Sequence, residues 1–283
     1  TALMDMYAKC GKLDKSQELF DEGILKRNVV SWNVLISGYV RHGLAHQALN
    51  CFRNMQDEGH FPNIVTFLCI LKACAVLGSY ETGKEVHGQV LERGLSEKDV
   101  VLCTALVDMY AKCGALERAH EVFDLIPLQS VVSWNALMSG YAQLGDCEMV
   151  FRILHRMLGE DRWPNSVTLL TVLNACSHAG LANDGKIFFE LLSNDEYPPS
   201  LEHYTCMLDL LGRAGQLKDA IYMVGKMRVD PDIVVWHTLF GACKKWGNVH
   251  LAEKVFNQAV QVNKIDAAAY VSLANLYADD NDQ

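Results

Sequence analysis

Proline is scarce in this chain, six residues in 283, and no apolar run approaches the eighteen or so needed to cross a bilayer as a helix. A membrane-spanning helix is therefore excluded. Metal-site signatures are missing too: no Cys-x-x-Cys, His-x-Glu or His-Glu-x-x-His arrangement occurs among ten cysteines and ten histidines, so zinc deaminases and zincins lack their ligands. Gly78 to Lys84 and Gly180 to Lys186 have the glycine and lysine spacing of a phosphate-binding loop, yet Glu85 and Ile187 stand where its magnesium-binding Ser or Thr belongs. Positive charge is short as well. The 25 Lys and Arg face 34 Asp and Glu, a net of −9, which is the wrong sign for a generic polyanion binder. No enzymatic activity, cofactor or metal site is expected from this inventory.

What the chain has instead is repetition. Thr1 to Gly11 (TALMDMYAKCG) returns at Thr104 to Gly114 (TALVDMYAKCG) with one substitution. SWNVLISGY from Ser31 returns as SWNALMSGY from Ser133, and LKAC ending at Cys74 returns as LNAC ending at Cys176. Self-similarity at a fixed period is the mark of stacked supersecondary units. Cut where each copy restarts, the chain divides into a partial unit, 1–28, then 29–63, 64–99, 100–130, 131–165, 166–200 and 201–232, followed by 233–266 and a ragged end to Gln283.

Each unit reads as two helices. Trp32, Leu35, Ile36 and Tyr39 follow helical spacing, Gly43 stops the run, and Ala48, Leu49, Phe52 and Met55 make a second apolar face before Gly59 and Pro62. All six prolines fall at or just before a boundary, where a missing N–H does no harm to a helix. Helix pairs of this kind cannot bury their apolar faces alone, so an all-α solenoid of stacked helix-turn-helix repeats with one concave surface is expected. The cysteines repeat in register: Cys10 with Cys113, and Cys74 with Cys176 and Cys243. They are expected to be small buried apolar residues, in a chain suited to a reducing compartment.

The motifs are specific enough to resemble a known family. VVSWNVLISGY opens one unit, LKACAVLGSYETGKEVHG lies in the next, and TALVDMYAKCGALERAHEVF opens a third. With a period near 35 residues this resembles the pentatricopeptide repeat family, and the alternation of ordinary, long and short units resembles its plant PLS subclass. LEHYTCMLDLLGRAGQLKDA and VVWHTLFGACKKWGNVHLAEKVF are similar to that subclass's closing short repeat and extension motif, so 233–283 is identified as truncated extension-motif repeats.

The resemblance implies a right-handed superhelix that binds single-stranded organellar RNA, one nucleotide per repeat. The base is read chiefly by the fifth and last residues of a repeat. Those positions are Thr1 with Asn28, Asn33 with Asn63, Leu68 with Asp99, Thr104 with Ser130, Asn135 with Asn165, Leu170 with Ser200, Thr205 with Asp232, and His237 with Asp266. By the family's usual pairing the target is 5′-A-Y-N-R-Y-N-G, with Leu68 and Leu170 leaving two positions unread and His237 taken as a surface residue. Val30, Val101 and Val132 would wedge between bases; Glu202 replaces valine at the equivalent place. Members with such an extension direct cytidine-to-uridine editing in the mitochondrion or chloroplast. The deaminase would then lie in a further domain or on a partner, accessory editing proteins would contact the long repeats, and a targeting peptide would lie outside this chain.

The residue types have a chemistry of their own. An ionised Asp only accepts, which suits the imino N–H of guanine or uracil, whereas the Asn amide can donate to the ring nitrogen of adenine or cytosine. A lone Asn, Thr or Ser ahead of a helix is equally an N-cap, because its side chain satisfies an orphan backbone N–H. Only the register shared by all units makes the set a candidate reader. The alternative is a protein-binding scaffold of tetratricopeptide type, whose Trp-x-x-Leu-Gly-x-x-Tyr signature is missing: Trp32 and Trp134 are followed directly by Asn33 and Asn135.

Overall fold

The structure is a computed structural model describing residues 1–22, 27–95, 99–193 and 198–281. Among the described residues there are seventeen helices and no strand. They follow as pairs: α1 (Ala2–Lys9) and α2 (Leu13–Asp21), α3 (Val29–Arg41) and α4 (Ala45–Asp57), α5 (Ile64–Leu77) and α6 (Tyr80–Glu92), α7 (Val100–Lys112) and α8 (Leu116–Asp124), and α9 (Val131–Gln143) and α10 (Cys147–Gly159). Then come α11 (Ser166–Ala179) and α12 (Ala182–Leu192), α13 (Leu201–Arg213) and α14 (Leu217–Lys226), α15 (Ile233–Lys245) and α16 (Val249–Val262), and a last helix, α17 (Ala267–Asn281).

The hairpins gather into two compact units, Thr1–Gly140 and Tyr141–Gln283. In the first, α1 packs on α3, α3 on α5 and α5 on α7, so the first helices of successive pairs form one layer. Each second helix, α2, α4 and α6, packs against its own partner and against the next first helix. The second unit repeats the scheme, with α11 on α13, α13 on α15, α15 on α17, and α12, α14 and α16 behind them. This is an α-solenoid of helix-turn-helix repeats.

Burial follows the layers. Phe67, Leu35, Ile36, Leu71, Leu102 and Leu106 are fully buried between successive hairpins, each contributing about 1.5–3 kcal/mol of hydrophobic stabilisation. Phe20 meets Trp32 edge-on with ring centroids 4.5 Å apart, and Phe123 meets Trp134 in the same way at 4.5 Å. The repetition in sequence is thus a repetition of one packing contact.

Glycine in SWNxLxSGY has a steric reason. A Cβ on Gly38 would lie 3.0 Å from Ala8 Cβ, and one on Gly140 would lie 2.6 Å from Ala111 Cβ and 3.2 Å from Ala111 Cα. Successive first helices therefore approach through glycine facing alanine, and Gly212 repeats the contact on Ala242 at 2.6 Å. The two loop-like GxxxxGK segments are helix–turn–helix connections. Gly78 ends α5 and Gly180 ends α11 in the left-handed conformation, φ 64° and 71°, and the lysines lie inside α6 and α12.

Cys74, Cys176 and Cys243 are fully buried, and burial pushes their thiols up to about 12, 12 and 11. Cys10 and Cys113 depart from the expected burial. They are the C-cap residues of α1 and α7, beyond the packed helix face, and Cys10 is exposed while Cys113 is half-buried. His87 is a packing residue whose Nδ1 lies 2.9 Å from the Tyr110 hydroxyl, tying α6 to α7.

Gly140→Ala tests the close approach. Alanine is the better helix former by about 1 kcal/mol, yet the variant is expected to lose about 1–3 kcal/mol through overpacking. Gly88→Ala in α6, where a Cβ meets nothing within 4 Å, is expected to be neutral or slightly stabilised. Urea denaturation of the two variants reads the difference, and a Gly140→Ala protein as stable as the parent would remove this account.

Candidate nucleic-acid interface

The last residue of each unit stands immediately before a first helix and caps it. Asn28 Oδ1 accepts from the N–H groups of Val30 and Ser31 at 3.0 Å, and Asn63 Oδ1 accepts from Thr66 N at 3.1 Å. Asp99 Oδ1 accepts from Val101 and Leu102 N–H at 2.9 and 3.0 Å, Asn165 Oδ1 from Thr168 N–H at 3.1 Å, and Asp232 Oδ1 from Val235 N–H at 3.0 Å. Ser130 takes part in a reciprocal box, its Oγ accepting from Ser133 N–H at 3.2 Å while its own N–H donates to Ser133 Oγ at 2.9 Å. Capping uses the carbonyl oxygen of each Asn and one oxygen of each Asp.

The fifth residues are not caps, apart from Thr1, which precedes α1 without a side-chain cap bond. Asn33, Thr104, Asn135 and Thr205 lie inside α3, α7, α9 and α13. Thr104 and Thr205 donate their hydroxyls back to Val100 O and Leu201 O at 2.8 Å, leaving oxygen lone pairs as acceptors. Asn33 is brought onto the last residue of its own unit: its Nδ2 donates to Asn63 Oδ1 at 3.0 Å, and its Oδ1 accepts from Thr66 Oγ1 at 2.6 Å. His237 and Asp266 meet in the same way, Nε2 to Oδ2 at 2.6 Å. Asn135 is buried, while Thr1, Asn33, Thr104 and Thr205 are half-buried.

Val30, Val101 and Val132 project into solvent at 59, 63 and 64% exposure, unusual for valine in a repeat core. Val65, Val167 and Val234 are exposed in the same register. Sequence reasoning passed over these three although their place, second in the unit, carried the signal. Glu202 occupies the register in α13 and is also exposed.

Charge is divided between the layers. The eight first helices, α1 to α15, carry seven Lys or Arg against four Asp or Glu, a net of +3. The eight second helices, α2 to α16, carry ten against fifteen, a net of −5. Six of the cations sit in the last turn of a first helix, and five of them share one register: Lys9, Arg41 and Lys112 in the first unit, Arg213 and Lys245 in the second. Each follows a fifth-position residue by eight, roughly 12 Å along the helix. Three are held by an aspartate one turn earlier: Lys9 by Asp5 at 2.5 Å, Lys112 by Asp108 at 2.9 Å and Arg213 by Asp209 at 2.8 Å.

Family models match along most of this chain. The PPR repeat family model matches residues 27–76 and 129–178, and the PPR repeat model matches 1–26, 101–128, 202–230 and 234–262. The chain belongs to the pentatricopeptide repeat family. It is 43% identical over 282 residues to the Arabidopsis thaliana chloroplastic pentatricopeptide repeat-containing protein CRR2, covering 99% of this chain and 43% of that one. To the mitochondrial protein At1g06140 of the same plant it is 38% identical over 279 residues, covering 98% of this chain and 50% of that one. The pentatricopeptide repeat chain thus spans half or less of the length of these relatives. Among solved structures it resembles the pentatricopeptide repeat protein PPR10 in complex with an 18-nt psaJ RNA element, with a TM-score of 0.79 at 18% identity, covering 97% of this chain and 41% of that one.

Because the last residue of each repeat is a cap, its substitution has two separable effects. Asp232→Ala is expected to cost about 1 kcal/mol of stability, and Asp232→Asn, which keeps a capping oxygen, to stay within a few tenths of the parent. Thermal or urea unfolding of both variants checks this, and equal losses would show that Oδ1 does not cap α15.

Proposed function

We propose that this chain is a sequence-reading module for single-stranded RNA, one nucleotide per repeat, with the target 5′-A-Y-N-R-Y-N-G. The observation that carries this reading is the Asn33–Asn63 contact. A side chain from inside one first helix and the cap of the next share one polar edge, at 3.0 Å, on the layer with net positive charge. A base edge is the kind of planar donor and acceptor set that such an edge would pair with.

Thr1 with Asn28 would take A, the Asn33–Asn63 and Asn135–Asn165 repeats a pyrimidine, Thr104 with Ser130 a purine, and Thr205 with Asp232 a G. Asn135 has to become accessible when RNA enters. Val30, Val101 and Val132, joined by Val65, Val167 and Val234, would insert between neighbouring bases. The last-turn cations would face phosphates, and pairing of three of them with aspartate leaves little net charge to release counterions, so the dependence on salt should be shallow.

The biological setting belongs to the proposal as well. The names of the relatives include chloroplastic and mitochondrial proteins, and the extension-like repeats 233–283 support a role in placing an organellar cytidine for editing. The deaminase would be supplied by another domain or partner, and this chain would do no chemistry itself. Half-buried Leu68 and Leu170 are the surface on which accessory proteins would bind.

The test is a fluorescence-anisotropy titration with 5′-A-C-N-A-C-N-G, a copy ending in A, and a scrambled RNA. The parent should bind the first tightest, by about tenfold over the copy ending in A, and Asp232→Asn should reverse that preference. Binding without discrimination, or with Thr205→Ala and Asn135→Ala tolerated, would leave a protein scaffold as the better reading. A second arm concerns salt: Asp108→Asn is expected to steepen the dependence of log affinity on log salt and Lys112→Gln to flatten it, each by up to about one unit.

A further inference from the structure

Arg93 follows α6 in the long repeat 64–99, yet its side chain reaches back to the joint with the repeat before it. Its guanidinium carbon lies 5.9 Å from the centroid of the Phe61 ring and 5.3 Å from that of Phe67, and one of its N–H groups donates to Pro62 O. Phe67 is fully buried in α5, whereas Phe61 is 78% exposed in the segment between α4 and α5. A planar cation stacked on aromatic faces and tied by one hydrogen bond keeps a fixed direction, unlike an ammonium on a flexible stem. One of its five N–H donors is used on Pro62, and the rest of the fork is open to a ligand.

This fixed cation borders a cavity of about 480 Å³, lined by Pro62, Asn63, Ile64, Val65, Arg93 and Leu95. That volume is within the range of ligand sites, roughly 300–1,000 Å³. Asn63 is the last residue of its repeat, and Val65, 51% exposed, is the second residue of the next. The cavity therefore opens between two positions that the RNA reading above already uses.

Arg93 also differs from the cations of the first helices. Lys9, Lys112 and Arg213 are each paired with an aspartate one turn earlier. The partners of Arg93 are a carbonyl and two rings, and among the described residues no carboxylate pairs with it. In the other long repeat, 166–200, the corresponding place in the sequence holds Asp195, which lies outside the described residues. The joint before that repeat has an exposed aromatic in the place of Phe61, Trp163, 78% exposed, but not the arginine.

We propose that Arg93 is a backbone-positioning residue whose guanidinium holds the phosphodiester between the nucleotide facing Asn33 with Asn63 and the nucleotide facing Leu68. This rests on the RNA reading above. A guanidinium fork matches the two unesterified oxygens of a phosphate and reads no base. The long repeat 64–99, with leucine at its fifth position, thus contributes by fixing the path of the chain past Asn63 and leaves base choice to its neighbours.

Anisotropy titrations compare the seven-nucleotide target with two copies, each carrying one uncharged methylphosphonate, between the second and third or between the fifth and sixth nucleotides. The parent is expected to lose about tenfold in affinity for the first copy and no more than about threefold for the second. Arg93→Gln, which keeps a donor for Pro62 O, should bind the unmodified target about tenfold less tightly and be indifferent to the first methylphosphonate. Its log affinity should fall less steeply with log salt, by about one unit, with the preference for G over A at the seventh base unchanged. Phe61→Ala removes an exposed ring and no core, so it should fold as the parent does and show a smaller effect of the first methylphosphonate, which guards against misfolding of the arginine variant. Equal losses at the two methylphosphonates in the parent, or full sensitivity retained by both variants, with discrimination at the seventh base intact, overturn the Arg93 contact alone. Failure of the parent to bind or discriminate the unmodified target overturns it together with the proposed function.

Discussion

Within each unit a first helix is buried because the next first helix lies against it, and the rest of that unit depends on the stacking. A single hairpin presents apolar residues on two faces and has one partner helix to cover them. The second face is closed by the neighbouring repeat, through contacts such as Phe20 on Trp32 and Phe123 on Trp134. Glycine against alanine at Gly38 and Ala8, and at Gly140 and Ala111, lets the backbones approach. Stacking of this kind places the same side-chain position of successive repeats of a unit on the same layer.

The last residue of a unit serves the stability of the helix it precedes. An Asn or Asp ahead of a helix satisfies backbone N–H groups with one oxygen. Asn63 Oδ1 caps α5 and also receives Asn33 Nδ2. Thr104 and Thr205 solve the equivalent problem inside a helix by donating to a carbonyl one turn back.

Net charge is a poor guide to a layered molecule. A chain of −9 looks unsuited to a polyanion until its charges are assigned to helices, where the first helices sum to +3 and the second helices to −5. Aspartates beside Lys9, Lys112 and Arg213 then moderate the positive layer. Such pairing weakens non-specific attraction to phosphate.

The all-α architecture of stacked helix pairs was legible in the sequence. Apolar periodicity, the glycines that end helices and the prolines at boundaries are local signals, and α3, α5, α7, α11, α13 and α15 begin at Val29, Ile64, Val100, Ser166, Leu201 and Ile233. The fifth and last residues of each repeat were singled out by the resemblance to the family, whose motifs are readable without coordinates. Exposure was less legible: Cys10 shares its register with Cys113 yet is exposed, because side-chain burial at a helix end depends on what packs beyond it. Only the tertiary structure decided which side chains meet, Asn33 with Asn63 and His237 with Asp266. It also put Lys245 on the end of α13, a contact between residues 32 apart. Local propensity determines helices one at a time, whereas a site assembled from neighbouring repeats exists only once their faces are pressed together.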